Sequence, residues 1–267
     1  MSTTFKDKVV WITGASSGIG EALVFAFAEE GAKVILSSRK KEDLIRVQKE
    51  SNLDDSRSLI LPLDLEKNSS FDKEAATAIK KIGVIDIIIH NGGISQRSLV
   101  ADTKLEVYRR LNEVNYMGAV SLTLSTLPHF LKQGHGLYVV VTSIVGKIGT
   151  PLRSGYSASK HALHGFFDSL RAECSDSGLS VLMVCPGFIK TKVSINALVG
   201  SGKNQGKMDD AQAKGMDPRE CAKQILDGIR SKKEEIMVSG IREKAAVYAK
   251  RFFPGILSKM IKNAKVT

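Results

Sequence analysis

Short β-branched runs alternate with helix-length amphipathic stretches along most of the chain, and no other feature limits its fold so tightly. Val9-Val10-Trp11-Ile12, Val34-Ile35-Leu36, Leu59-Ile60-Leu61, Val84 to His90, Tyr138 to Val141 and Ser180 to Cys185 read as strands. Between them, Ile19 to Glu30 (closed by Gly31), Asp43 to Glu50, Phe71 to Lys81, Thr103 to Lys132 and Tyr156 to Asp176 read as helices. The Val84 to His90 run is almost continuously apolar, as expected of a strand whose two faces are both covered. The rhythm predicts an α/β fold: one doubly wound parallel sheet, Rossmann-like, with helices on both faces.

At 267 residues and 43% hydrophobic, the chain can bury a substantial core. No Pro- or Ser-rich linker divides it, so residues 1–267 read as a single domain. Two stretches break the rhythm. Residues 188–216 are rich in Gly, Lys, Ser and Asn, and a loop of that length inside a compact domain reads as a lid over the substrate. Residues 242–267 form a basic tail with Phe252, Phe253, Ile256, Leu257, Met260 and Ile261 interleaved. The tail is amphipathic if helical, with Pro254 interrupting or starting the helix. Peripheral membrane contact and packing on the domain or on a neighbouring subunit are its two readings.

The formal net charge of +11 suits an anionic ligand, nucleic acid or an anionic membrane surface. The basic residues are spread out, however, with no zinc-ligand spacing and no aromatic RNA-binding motif, so nucleic acid is set aside. Cys174, Cys185 and Cys221 have no metal-binding spacing, and an odd, sparse set fits a reducing compartment. No metal site is expected. The start, Met1-Ser2-Thr3-Thr4, reads as no signal peptide, and no apolar run is long enough to span a bilayer. The end, Lys265-Val266-Thr267, carries no organelle address. Cytoplasm is the expected location.

Thr13-Gly14-Ala15-Ser16-Ser17-Gly18-Ile19-Gly20 follows the first strand and opens the first helix. Glycines there let the backbone turn tightly and approach a pyrophosphate at the positive helix N-terminus. Gly14, Ser16, Ser17, Gly18, Ile19 and Gly20 are therefore candidate cofactor residues. The second strand ends Leu36-Ser37-Ser38-Arg39-Lys40-Lys41. A site that prefers NAD usually carries an acid there, which binds the ribose and repels a 2′-phosphate. Here Ser38 can hydrogen-bond that phosphate and Arg39 can clamp it, which favours NADP(H), with NAD(H) kept as the alternative.

In Tyr156-Ser157-Ala158-Ser159-Lys160, helical spacing places Tyr156 and Lys160 on one face, a turn apart. A cation beside a phenol favours phenolate and pulls the tyrosine pKa toward neutrality, where acid–base catalysis works best.

The glycine turn, Asn91-Gly92-Gly93, Asn115, Ser143, the Tyr156/Lys160 pair and Pro186-Gly187 occur in this order. This set resembles the short-chain dehydrogenase/reductase family over roughly residues 6 to 240. Ser143 to Glu173 also resembles a subgroup, the dehydrogenase/reductase member 7B-like proteins, whose N-terminal membrane anchor this chain is expected to lack. The resemblance implies an oxidoreductase that moves a hydride between nicotinamide and a carbonyl or secondary alcohol. It makes Tyr156 the general acid/base, Ser143 the holder of the substrate oxygen, Lys160 the ligand of the nicotinamide ribose, and Asn115 the holder of a relay water in a slightly opened helix. It also places Asp64 and Leu65 at the adenine, Asn91, Gly92 and Gly93 along the cofactor, and Pro186, Gly187, Ile189 and Thr191 over the nicotinamide. At Gly93 the family usually has Ala.

Taken singly, these residues have plainer readings. Asn115 could be a polar residue on a long helix, Ser143 a strand end, Asp64 a helix cap and Pro186-Gly187 a turn. A catalytically silent cofactor-binding sensor or scaffold, and an epimerase or dehydratase on the same fold, are the alternative functions. A small carbonyl or alcohol is the expected substrate, with a hydrophobic one among the readings. Gly118, Ala119 and Gly165 on the long helices suggest close backbone approach. In similar proteins those helices form the dimer interface, so a homodimer or homotetramer is expected.

Overall fold

The computed structural model describes residues 5–67 and 69–262. The chain start (1–4), residue 68 and the last part of the basic tail (263–267) lie outside the described residues. Seven strands form one sheet: β1 Val9–Thr13, β2 Lys33–Ser37, β3 Ser58–Ile60, β4 Ile87–His90, β5 Gly136–Val141, β6 Leu179–Pro186 and β7 Glu235–Val238. Their order is β3-β2-β1-β4-β5-β6-β7, and every pairing is parallel. The order reverses between β1 and β4, leaving a crevice beyond their C-terminal ends. This is the doubly wound, Rossmann-like sheet that the strand rhythm predicts.

Alternation along each strand builds two cores. Val10 and Ile12 of β1 join Leu36 of β2 beneath helices α1 (Gly18–Glu29), α2 (Lys41–Glu50) and α8 (Pro218–Arg230). Val9 and Trp11 face the other way, with Ile88, Tyr138 and Val140, beneath α3 (Asp72–Ile82), α5 (Gly118–Gln133) and α6 (Ser154–Glu173). A period of two sends consecutive side chains to opposite faces, so an unbroken apolar run is what two covered faces require. The Trp11 Nε1–H donates to Ser37 Oγ at 2.8 Å, which satisfies its one polar atom inside the second core.

Several boundaries differ from the sequence reading. The Val84 to His90 run contributes only β4, because Val84 stands half-exposed outside the sheet. The long helix read from Thr103 is α4 (Leu105–Asn112) followed by a π-helical turn, Glu113–Met117, and then α5. Gly118 serves the interior rather than an interface: a Cβ there would come within 2.8 Å of Leu65. Gly165, by contrast, faces open space. The sequence reading assigned nothing to α8 and β7. The N-terminus of α8 is fixed by Asp217, whose carboxylate accepts from Arg219 N at 2.7 Å, with Pro218 in the first turn.

Residues 188–216 are irregular but packed. They contain only the short helix α7 (Asp210–Ala213), yet Ser194, Ala197, Leu198 and Asp209 are all buried. An isolated bridge from Gln96 to Leu198 ties the segment to the body, and another, Ile189 to Met216, joins its two ends. The tail folds as α9 (Ile241–Phe252) and α10 (Pro254–Ile261), with Pro254 starting the second helix. Leu257 is buried against Ile144, Ile148 and Cys185, so one face of the tail packs on the body.

Candidate active site

The crevice at the β1/β4 reversal opens into a cavity of about 1470 Å³ along the C-terminal edge of the sheet. Gly14 and Gly18 adopt left-handed φ values of +66° and +60°. The closest approach is at Gly20, where a Cβ would fall 2.1 Å from the Gly14 carbonyl oxygen. Only glycine lets the turn fold back on the helix it opens. Ser16, Ser17, Gly18 and Ile19 line the cavity, while Gly20 lies behind them. Ser17 is the N-cap of α1 but makes no side-chain cap bond. The first-turn amides of α1 thus keep their donor capacity beside the cavity, the donor set that a pyrophosphate needs. A nicotinamide dinucleotide fits this chemistry.

Beside the glycine turn, Ser38, Arg39, Asp64 and Leu65, the residues expected at the adenine, all line the same cavity. Arg39 is exposed, and Ser38 makes only a long 3.5 Å contact to Lys40 O. Asp64 Oδ1 accepts from Glu66 N at 3.1 Å, a local turn of the kind its plainer reading anticipates. The sequence reading overlooked Arg46, which donates to Ser16 O at 3.0 Å and to Glu21 and Glu50 at 2.7 Å each. It links α2 to the glycine turn.

Asn91 braces that turn from β4, donating from Nδ2 to Thr13 O at 3.0 Å. Gly92 and Gly93 follow along the cavity wall. A Cβ at Gly93 would lie 3.0 Å from Asn115 Oδ1 and 3.6 Å from Lys160 Nζ. Glycine here lets Asn115 and Lys160 crowd the β4 loop, rather than merely loosening the packing. Asn115 sits in the π turn, buried and off the cavity wall. Its amide accepts from Ile94 N at 2.8 Å and donates to Ile94 O at 2.9 Å and Ser159 Oγ at 3.0 Å. A π turn opens the helical ladder locally, and here the opening coincides with the side chain that pins the β4 loop.

Ser143, Tyr156 and Lys160 converge on the cavity at the ends of β5 and α6. Ser143 caps a short 3₁₀ turn, its Oγ accepting from Val145 N and donating to Pro186 O, both at 3.3 Å. The same hydroxyl favours the ionised form of the Tyr156 phenol. Lys160 Nζ donates to Val141 O at 2.8 Å and lies 5.9 Å from the Tyr156 ring centroid. Pro186, Gly187, Ile189 and Thr191 extend from β6 along the opposite wall.

The electrostatics correct one expectation. Burial raises the Tyr156 pKa above the ordinary phenol value. Opposing it are, in order, the Arg153 charge, the Ser143 hydroxyl and the Arg97 charge. Lys160 is itself pushed down to about 8 by burial.

Arg97 and Arg153 belong to a buried cluster that the sequence reading missed. Arg97 Nε donates to Asp209 Oδ2 at 2.7 Å, and its Nη1 donates to Ser95 Oγ at 2.8 Å and Gln96 O at 2.6 Å. Arg153 Nη2 stands 3.8 Å from the same Asp209 oxygen, with its guanidinium over the Phe188 ring. Burial and the Arg97 charge push Arg153 down to about 10. The cluster fastens the 188–216 segment to the β4 loop beside the phenol.

Comparison with known proteins places this geometry. The family model described as short chain dehydrogenase matches residues 8–199. A Drosophila melanogaster protein named dehydrogenase/reductase SDR family protein 7-like is 42% identical over 253 residues, covering 93% of this chain and 78% of that protein. A Danio rerio protein named dehydrogenase/reductase SDR family member 7B is 37% identical, covering 96% of this chain and 85% of that one. The crystal structure of a short chain dehydrogenase/reductase from Burkholderia phymatum in complex with NAD superposes with a TM-score of 0.84 at 20% identity, covering 95% and 96% of the two chains.

Arg97→Met would leave the fully buried Asp209 carboxylate with its poorer partners, Gln205 and the more distant Arg153. Urea unfolding of that variant is expected to show a loss of about 3 kcal/mol. An unchanged midpoint would mean that the pair does not hold the segment.

Proposed function

The chain belongs to the short chain dehydrogenase family, and from that premise we propose an NADP(H)-dependent oxidoreductase interconverting a carbonyl and a secondary alcohol. One observation carries the reading: Ser143, Tyr156 and Lys160 line the same cavity that the glycine turn opens. A proton donor and the donor set for a dinucleotide thus share one space. In this proposal residues 1–267 form one dinucleotide-binding domain and residues 188–216 serve as the substrate lid.

The bound dinucleotide supplies or accepts the hydride. The protein's part is to hold the substrate oxygen and to manage its proton. Ser143 Oγ, held by the Val145 amide, turns its one proton from Pro186 O to the substrate oxygen and orients that oxygen toward Tyr156. In reduction Tyr156 gives its proton as negative charge develops on that oxygen, and in oxidation it takes the proton back. Arg153 and Arg97 stabilise the phenolate form against the cost of burial. Lys160, held on Val141 O, lies where it would bind the nicotinamide ribose. The Asn115 amide is committed to Ile94 and Ser159, so a relay water falls to the opened backbone of the π turn rather than to that side chain.

Cofactor choice rests on Ser38 and Arg39, which stand where an acid would exclude a 2′-phosphate. The substrate end of the cavity is bounded by Phe188, Val193 and Leu198, which suits a carbonyl compound with an apolar body. Assembly is proposed through the outer faces of α5 and α6, where Met117, Leu124 and Leu131 remain exposed. Among the described residues no helix is long and apolar enough to cross a membrane, and all three cysteines are free and buried. Free thiols suit the reducing cytoplasm proposed as its location.

A panel of carbonyl compounds assayed by NADPH oxidation separates this reading from a silent sensor or an epimerase. Tyr156→Phe is expected to lower turnover by about 10²–10⁴-fold with NADPH affinity retained, and near-normal turnover would sink the assignment. Arg39→Ala should weaken NADPH by about tenfold or more while leaving NADH nearly unchanged, as titration of each would show. Ser143→Ala removes a hydroxyl that favours phenolate, so the Tyr156 pKa rises further. The rising, acid-side limb of the alcohol-oxidation profile should then move to higher pH, and a shift to lower pH would refute the Ser143–Tyr156 coupling.

A further inference from the structure

The two tail helices each carry two apolar faces, and only one of them is covered. On the inner side, Leu257 and Ile261 of α10 and Ala246 and Val247 of α9 pack with Ile144, Ile148 and Cys185. On the outer side of α9, Ile241, Ala245, Tyr248 and Phe252 recur at intervals of four, three and four residues, which is a single helical stripe. Ile241 is 87% exposed and Phe252 68%. Phe253, Ile256 and Met260 continue the exposed apolar surface onto α10, at 61%, 59% and 67%. Single exposed hydrophobics are ordinary, but a contiguous patch of large ones marks a surface meant to be covered.

The rim of the patch identifies the cover. Arg242, Lys244 and Arg251 border the stripe on α9 and Lys259 and Lys262 stand on α10, against one acid, Glu243. The Glu243 carboxylate does not face outward: its oxygens lie against Gly187 and Gly240, at the end of the sheet. The outward surface therefore presents aromatic and aliphatic side chains ringed by cations. A second copy meeting this face across a two-fold axis would bring the same cations into opposition. Anionic lipid headgroups would neutralise them, and the acyl boundary would take up the phenylalanines, isoleucines and methionine. The surface also has a fixed relation to the cavity, since Arg242, Ala246 and Ile261 line the cavity wall.

We infer that α9 and α10 dock this protein on an anionic lipid surface, with the apolar stripe at the acyl boundary. The inference stands apart from the hydride-transfer reading, because its readout is binding rather than turnover. The test is co-sedimentation of the full chain with phosphatidylcholine vesicles prepared with and without phosphatidylserine.

The unaltered chain is expected to pellet with the phosphatidylserine vesicles, to stay largely in solution with phosphatidylcholine alone, and to release as salt is raised. Phe252→Glu/Phe253→Glu should lower partitioning by about tenfold or more. Arg251→Gln/Lys259→Gln should lower it by about fivefold for each charge removed. All four substituted positions are exposed, so thermal melting of both variants should match the parent. The inference is overturned if the unaltered chain ignores phosphatidylserine vesicles, binds neutral vesicles equally well, or keeps its binding in the Phe252→Glu/Phe253→Glu variant. Sedimentation velocity without vesicles gives one more decisive result: an oligomer that this variant dissociates would put a second copy on the face instead.

Discussion

One hydroxyl holds the place where the sheet divides. Thr13 Oγ1 donates to Ile89 O at 3.2 Å and accepts from Asn91 N at 3.0 Å and Gly92 N at 3.1 Å. Beyond this point β1 feeds the glycine turn and β4 feeds the loop that carries Gly93, Ile94 and Arg97. Backbone amides leaving a buried sheet must find partners or lose about 1–3 kcal/mol each. Thr13 satisfies two of them while keeping both chain exits in register. The glycine turn, the cavity and the wall bearing Asn115 and Lys160 all take their positions from that junction.

Around the junction, the site works by balancing burial against charge. Burying a phenol and an ammonium side by side pushes Tyr156 up and Lys160 down, which disfavours the ionised form of both. Arg153 and Arg97 act in the opposite sense on Tyr156, and they are kept in place by Asp209, itself fully buried. The segment from 188 to 216 therefore does more than border the cavity. Through Asp209 it supplies the counter-charge that lets two arginines sit close to a phenol. A guanidinium is suited to that role because it stays charged where a lysine would yield its proton.

How much of this was legible in the sequence follows from the range of each interaction. The strands, the two-sided sheet and the glycine turn rest on local periodicity and on residues a few positions apart, and they were readable. So was the convergence of Ser143 and Tyr156, although through a family resemblance rather than from spacing. The Arg97–Asp209 pair spans 112 residues, with one member in a stretch of little regular structure, and no local pattern announces it. The depressed tyrosine pKa was misjudged because spacing reveals a neighbouring cation but not the desolvation of both partners. Helix α8 was legible and unread: Asp217-Pro218 followed by Cys221, Ala222, Ile225 and Leu226 is a capped amphipathic helix. The phase break at Asn115 carries no local signal beyond the asparagine itself.

That phase break has a consequence for how the chain can change. A π turn accommodates one more residue than an α-helical turn, and each residue rotates a helix by about 100°. The apolar faces of α4 and α5 are therefore set by a residue count rather than by residue type alone. Substituting within Glu113–Met117 leaves that count intact. Deleting one residue would repair the helical ladder, yet it would swing Leu122, Thr126 and Phe130 about a quarter turn away from the sheet. In the lineage of such a chain this short segment should tolerate changes of letter far better than changes of length, so its irregularity preserves itself.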